Sequence, residues 1–125
     1  MKKFLNNLND NENNISSAFL HNAPIGNYKI NLIAAIVRGK TVEESMRCLR
    51  FSSKVKGALI LSKLIYSAAS NARNNTKFSV DSLFVKSIEI GKGNCLRRFH
   101  ARAKGRGCAI IKHRSNIRVF LAIKV

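Results

Sequence analysis

The sequence is short of acidic residues: it has 6 Asp and Glu against 23 Lys and Arg, and none of the 6 follows Glu89. Acid–base and nucleophilic catalysis need an acid, a base or an activated nucleophile held within hydrogen-bond reach of one another. No such set is available beside the basic C-terminal third, where the histidines are His100 and His113. The sequence therefore predicts a protein that is not an enzyme.

Long hydrophobic runs are also missing. Lys, Arg or Ser interrupts every apolar stretch before it reaches the roughly 18 residues of a transmembrane helix, so we expect no membrane partner. Phe4 and Leu5 are followed at once by Asn6 and Asn7, which leaves no hydrophobic segment for a secretory signal. We therefore expect that the protein is not exported.

Cysteine is scarce and lacks a pairing pattern. Cys48, Cys95 and Cys108 form no CxxC motif, and an odd count without a secretory signal favours free thiols in a reducing compartment. Cys95 and Cys108 alternate with His100 and His113 as C-x4-H-x7-C-x4-H, whereas zinc sites are usually built from close pairs such as C-x2-C. We expect no disulfide, no metal and no cofactor.

Positive charge is what the sequence has in abundance. The formal net charge is +17, and self-repulsion of that size in a compact domain favours a polyanionic partner. Nucleic acid is the first candidate. A chain of 125 residues is long enough for one modest core, which predicts a single domain.

The N-terminal part predicts a leader, a short strand and an amphipathic helix. Residues 1–14 are polar and rich in Asn, so we expect a disordered leader before a single domain over residues 15–125. Residues 15–20 are short enough for an edge strand. A first helix follows Pro24 and ends at Gly39. Lys29, Asn31 and Arg38 lie on its polar face, and its apolar stripe consists of Ile25, Tyr28, Leu32, Ala35 and Ile36.

Two more helices are predicted between residues 41 and 75. Thr41 and Glu44 form a capping-box pattern at the start of a short second helix. Ser52 or Ser53 is a candidate N-cap for a third and longest helix. The buried face of this core helix is predicted to consist of Val55, Ala58, Leu61, Ile65, Ala68 and Ala72.

From residue 80 onward, apolar residues recur at every second position instead of at helical spacing. Leu83 and Val85 follow one alternation and Ile88 and Ile90 the other, and this break in parity indicates a bulge. A second strand at the C-terminus alternates strictly, and we expect the two strands to pair. The inward residues of the second strand are Ile117, Val119, Leu121, Ile123 and Val125.

The connection over residues 91–114 is too long for an ordinary hairpin loop. We expect an extended two-stranded arm that turns near residues 104–107, where Gly105 and Gly107 permit positive φ and close backbone approach. Arginine suits bidentate contact with phosphate, and aromatic rings among cations are typical of stacking on unpaired RNA bases. The side chains that form this pattern are Arg97, Arg98, Phe99, His100, Arg102 and Arg106.

Four segments of the chain resemble the family of bacterial-type large-subunit ribosomal protein twenty-two. They are KINLIAAIVRGK (29–40), SAASNARNN (67–75), DSLFVKSI (81–88) and RAKGR (102–106), in the order and spacing of that family. The resemblance extends from Ala23 to Lys124. It implies an α+β fold in which three helices pack on a small three-stranded antiparallel sheet and a long basic β-hairpin protrudes.

The resemblance also implies a structural role in the large ribosomal subunit, in the bacterial cytoplasm or in an organelle. The partners would be large-subunit rRNA, neighbouring ribosomal proteins and, at the hairpin tip, the nascent peptide in the exit tunnel; no homo-oligomer is expected. The tip would consist of Arg102, Ala103, Lys104, Gly105, Arg106 and Gly107. The residues expected to bind rRNA, from charge and resemblance together, are Lys29, Arg38, Lys40, Lys92, Arg97, Arg98, Phe99, His100, Arg102, Lys104, Arg106, Lys112 and Arg114.

A free nucleoid-type DNA-binding protein is the alternative that the charge leaves open. Such a protein would use the same basic residues, with arginines in the minor groove of duplex DNA. It would bind duplex DNA and rRNA with comparable affinity, whereas a ribosomal protein would sediment with large subunits.

Overall fold

The computed structural model describes residues 16–76 and 82–123. The predicted leader (residues 1–14) and the end of the last strand at Val125 lie outside them. The described residues combine helices with antiparallel sheets, which confirms the α+β class, and none of these helices is long and apolar enough to cross a lipid bilayer. In chain order the elements are β1 (Ser16–Ala23), α1 (Asn27–Val37), α2 (Val42–Arg50), α3 (Val55–Thr76), β2 (Leu83–Lys92), β3 (Leu96–Ala101), β4 (Gly107–Lys112) and β5 (Ser115–Ile123).

The larger sheet has β5 at its centre. β1 and β2 both pair antiparallel with it, in the order β1-β5-β2. This arrangement confirms the predicted edge strand and the predicted pairing of the two later strands. The register of β2 on β5 shifts between Val85 and Ser87, so the predicted bulge is present where the apolar alternation breaks.

β5 is more deeply buried than its alternation predicts. Ile117, Val119 and Leu121 are fully buried in the core, as expected. Phe120 and Ala122 point to the opposite face of the sheet and are buried as well, because strands lie on both sides of β5. The guanidinium carbon of Arg118 adds to this cover, 4.7 Å from the centre of the Phe120 ring.

Local sequence determines the end of α1 and the start of α2. Gly39, just past α1, has a φ of +79°, which glycine adopts without steric cost. Thr41 Oγ1 accepts a hydrogen bond from Glu44 N at 3.3 Å, and Thr41 N donates to Glu44 Oε2 at 3.4 Å. The predicted capping box is therefore confirmed.

α3 is the core helix, as predicted. Leu61, Ile65 and Ala68 have no exposed surface, and the small Ala68 lets β1 approach so closely that Ser16 Oγ donates to its carbonyl oxygen at 2.8 Å. Val55, the first residue of α3, is the exception in the predicted stripe: it is 62% exposed.

The predicted cap of α3 is wrong. The helix begins at Val55, too late for Ser52 or Ser53 to be its N-cap. Ser52 Oγ instead accepts a hydrogen bond from Lys54 N at 3.3 Å. The serine therefore stabilises the turn that leads into the helix.

The predicted apolar stripe of α1 is also wrong, apart from Ile25. Tyr28, Leu32 and Ile36 are 77%, 41% and 48% exposed. A second stripe at the same helical spacing faces the core, and period alone does not decide which of two apolar stripes the protein buries. The buried residues of α1 are Ile30, Ile33, Ala34 and Val37.

Candidate nucleic-acid interface

The chain between β2 and β5 forms the predicted two-stranded arm. β3 and β4 pair antiparallel and in register, from Leu96 opposite Lys112 at the base to Ala101 opposite Gly107 near the tip. They form a sheet of their own, separate from the larger sheet. Every residue from Arg97 to His113 is exposed. The arm therefore has no core, and a lone two-stranded ribbon of this kind is marginally stable in water.

Both faces of the arm carry an arginine beside an apolar side chain. Residues directly opposite each other in an antiparallel pair lie on the same face. Arg98 opposes Ile110 on one face, and Arg97 opposes Ile111 on the other. His100 shares its face with Arg98, because side chains alternate along a strand. The arm is thus equipped to contact a polyanion on both sides at once.

The tip is a tight turn of alternating cations and small residues. A single 3₁₀ turn covers Ala103–Gly105, and Arg102 N donates to Arg106 O at 2.8 Å to close it. Lys104 and Gly105 have φ values of +58° and +69°. The prediction of positive φ is therefore confirmed at Gly105.

Gly107 serves a different purpose from the one predicted. It does not have a positive φ; instead, the ring of Phe99 occupies the space where a β-carbon of residue 107 would lie. Phe99 remains 78% exposed. The glycine therefore supports the aromatic ring while leaving most of the ring accessible for stacking.

Three asparagines fasten the base of the arm to the core. Asn22, in the irregular part of β1, has a φ of +52° and accepts a hydrogen bond from Asn94 N at 2.9 Å. Its own backbone N donates to Asn116 Oδ1 at 2.9 Å, and Asn116 Nδ2 donates to Lys92 O at 3.3 Å. Gly93 N donates to Arg114 O at 2.8 Å. These bonds fix the place where the arm leaves the sheet.

Sequence reasoning missed this asparagine cluster. The available signal was Asn22 itself, since asparagine tolerates the left-handed region better than other residues that carry a β-carbon. The partners come from β1, from the start of the arm and from β5, so no local pattern connects them.

Three of the predicted binding residues, Lys29, Arg38 and Lys40, lie on the globular part. Lys29 is exposed in the first turn of α1. Arg38 Nη2 donates to Asn31 Oδ1 and to Ile88 O, both at 2.9 Å, and Lys40 Nζ lies 3.2 Å from Cys48 Sγ. Arg38 and Lys40 thus have bonding partners in the globular part. Lys92 is the last residue of β2, at the base of the arm, whereas Lys112 ends β4 and Arg114 lies in the connection from β4 to β5.

The cations of the arm have no acidic partners in the described part of the chain. Among residues 16–76 and 82–123, the ion pair found is Arg47 with Glu43, at 2.9 Å on the exposed side of α2. Arg98 Nη1 bonds only to the neighbouring carbonyl oxygen of Arg97, at 2.8 Å. The positive charge of the arm is therefore left to an external anion.

The cysteines and histidines of the arm form two separate pairs. Cys95 Sγ lies 3.6 Å from His113 Nδ1 at the base, and His100 is opposite Cys108 near the tip. The three cysteines are free thiols. No group of three or more potential metal ligands occurs within the described ranges.

Comparison with known proteins gives one consistent result. Residues 18–122 match the family model described as ribosomal protein L22p/L17e. A protein of Ehrlichia ruminantium named large ribosomal subunit protein uL22 is 42% identical over 98 residues, which cover 78% of this chain and 85% of that protein. A protein of the same name from Sphingopyxis alaskensis is 43% identical over 91 residues, 73% of this chain and 71% of the relative.

Proposed function

This chain belongs to the ribosomal protein L22p/L17e family, and from that premise we propose that it binds large-subunit rRNA through its arm, supports subunit assembly and lines the nascent-peptide exit tunnel with the tip of the arm. Membership gives the chain a structural role in the large ribosomal subunit. Its bacterial relatives indicate a ribosome of the bacterial cytoplasm. The role is architectural and needs no catalytic group.

The observation that carries the proposal is the two-faced arm. Its residues 97–113 are all exposed, and its arginines on both faces lack acidic partners among the described residues. A flat anionic surface would neutralise the arginines on one face of the arm only. RNA that surrounds the arm neutralises the arginines on both faces. Counterions released from the neutralised phosphates make this binding more favourable.

Each class of side chain has a distinct task in this proposal. Arg97, Arg98 and Lys112 neutralise phosphates along the strands, and Phe99 offers its exposed face to an unpaired base. His100 contributes a second ring on the opposite face. The other proposed rRNA contacts are Lys29, Arg38, Lys40, Lys92, Arg102, Lys104, Arg106 and Arg114.

The tip is proposed to face the nascent peptide. Arg102 through Gly107 form the turn at the far end of the arm, where Lys104 is the central residue of the 3₁₀ turn. The turn is closed by its own backbone bonds, so its side chains are free to meet other molecules. Neighbouring ribosomal proteins would contact the globular part.

Charge reversal on the arm tests the proposal. Arg97→Glu with Arg98→Glu places an acid on each face and should strongly reduce cosedimentation of the protein with large subunits. The matched control is Lys63→Glu with Arg73→Glu, two exposed cations on α3, which should cosediment as the wild type does. Normal incorporation of the arm variant would contradict the proposal, as would equal retention of the wild-type chain on duplex DNA, the result expected of a nucleoid protein.

A further inference from the structure

A groove beside the base of the arm contains side chains, Tyr28, Lys54 and Lys56 among them, to which the proposed function assigns no task. Its volume is about 1050 Å³, and it lies between the first two turns of α1, the first turn of α3, the end of β2 at Lys92 and the connection out of the arm at His113. Ile25 and Ile33 form part of its floor, and Tyr28 and Leu32 form one side. The wall is therefore mainly apolar and includes one aromatic ring.

The rim of this groove is positively charged. Lys29, Lys54, Lys56 and Lys92 line it together with His113, and none of its lining residues is acidic. Lys54 and Lys56 flank the start of α3, a helix without acidic residues in its first turn. Cations at a helix N-terminus oppose the helix dipole. Lys54 and Lys56 therefore add to the positive potential of the helix N-terminus, whereas acidic residues there would have compensated it.

A second groove gives a useful contrast. It lies between α2 and α3, has a volume of about 720 Å³ and is lined by apolar side chains that include Phe51 and Leu59. Glu43, Arg47 and Arg50 line it as well, and Glu43 and Arg47 are joined by the 2.9 Å ion pair. This groove therefore has an acidic residue beside its cations, which the groove at the arm lacks. An apolar partner without charge would fit either groove, whereas the groove at the arm favours a ligand that is both apolar and anionic.

Tyr28 is the group best placed to select such a ligand. Its side chain is 77% exposed although it lies on the wall of the groove, so one ring face is open to a flat partner. Aromatic stacking is tolerant of base identity, and lysines at the rim suit phosphate groups. A base with its phosphates combines the two properties that the groove requires.

We propose that this groove holds an unpaired nucleotide of the bound RNA, with the base stacked on Tyr28 and its phosphates against Lys54 and Lys56. The inference rests on the proposed function, because the RNA is the one that surrounds the arm. Lys92 and His113 belong both to the groove and to the base of the arm, so RNA that follows the arm to its base reaches the groove directly. The volume suffices, since pockets for small ligands measure roughly 300–1,000 Å³.

Ultraviolet cross-linking within intact large subunits tests the inference. The chain has 2 tyrosines, and Tyr28 and Tyr66 are 77% and 68% exposed, which makes Tyr66 on α3 an internal control. After nuclease and protease digestion, mass spectrometry should find a nucleotide attached to Tyr28 and none attached to Tyr66.

The outcomes separate this inference from the proposed function. Nucleotide adducts on the arm without one on Tyr28 would overturn the inference and leave rRNA binding by the arm intact. A peptide of another protein cross-linked to Tyr28 would overturn it in favour of a protein partner. Absence of the chain from large subunits would remove both.

Binding measurements with large-subunit rRNA provide the second readout. Tyr28→Ala should weaken binding by about tenfold, the effect of losing one stacked base, whereas Tyr28→Phe and Tyr66→Ala should bind as the wild type does. Lys56→Gln should lower the slope of log K against log salt by about 0.7 to 0.9, and Lys63→Gln, on an exposed site of the same helix, should leave the slope unchanged. Equal effects of the groove and control variants would overturn the inference.

Discussion

The ring of Phe99 lies against Gly107 across the arm, in the space that a β-carbon at residue 107 would fill. The two residues are diagonal neighbours: Phe99 is paired with Ala109, and Gly107 with Ala101. An aromatic side chain often covers a glycine on the neighbouring strand in this way. The contact fixes the position of an otherwise exposed ring and so prepares it for stacking.

Gly107→Ala should therefore weaken RNA binding without unfolding the protein. The new methyl group displaces the Phe99 ring, and loss of one stacking contact costs about 1 to 3 kcal/mol of binding free energy. Titration of large-subunit rRNA and a thermal unfolding curve measure the two effects. Gly91→Ala is the control, because a β-carbon at residue 91 meets nothing within 4 Å. Equal binding by both variants would contradict the proposed role of Phe99.

Asn22→Gly should loosen the base of the arm selectively. Glycine tolerates the φ of +52°, so the variant removes the bond to Asn94 N without adding backbone strain. Hydrogen exchange should accelerate at the amide of Asn94 and remain unchanged in the core of α3. Asn22→Ala loses the same bond and adds strain of about 1 kcal/mol, so it should also lower the melting temperature. Unchanged exchange at Asn94 in both variants would argue against the asparagine cluster as the anchor.

Gly57→Ala should destabilise the core despite the higher helix propensity of alanine. A β-carbon at residue 57 would overlap Cδ1 of Ile33, and overpacking costs about 1 to 3 kcal/mol, more than the roughly 1 kcal/mol that alanine gains in a helix. Denaturant titration measures the difference. Ile33→Val removes the overlapping carbon, so Gly57→Ala should cost much less in that background. Equal costs in the two backgrounds would show that the overlap is not the cause.

Thr41→Ala should lower stability by about 1 kcal/mol, because it removes one half of the capping box of α2. For a chain of 125 residues the melting temperature should fall by about 4 °C, between the values typical of smaller and of larger domains. Thr41→Ser keeps the hydroxyl and should restore most of the loss. Affinity for rRNA should not change, since the cap lies on the globular part; a parallel loss of binding would mean that α2 contributes to the interface.

Elements with a local sequence pattern were predicted correctly. The capping box at Thr41, the bulge after Val85 and the arm between β2 and β5 each follow from short patterns. The prediction for α1 failed because most of its residues are apolar: the exposed stripe with Leu32 and the buried stripe with Ile33 have the same period. Only the position of the sheet and α3 decides between them, and that information is not local.

In the candidate site, too, the features with a local sequence pattern were predicted and those assembled from distant segments were not. Charge and strand alternation predicted the arm and its arginines. They did not predict the asparagine cluster or the groove at Tyr28, because each is assembled from segments far apart in the chain. The support of Phe99 by Gly107 depends on strand register, which the turn between the strands sets.

The position of β5 at the centre of the larger sheet determines the order in which the protein is completed. Ser16 of β1 pairs opposite Leu121 of β5, so β1 can pair only after β5 has been synthesised. Such non-local pairing slows folding. A ribosome adds residues from the N-terminus, so the arm is synthesised before the strand that closes the core. A chain interrupted before residue 115 would carry a complete basic arm with no sheet to hold it, ready to bind RNA but exposed to proteases and aggregation.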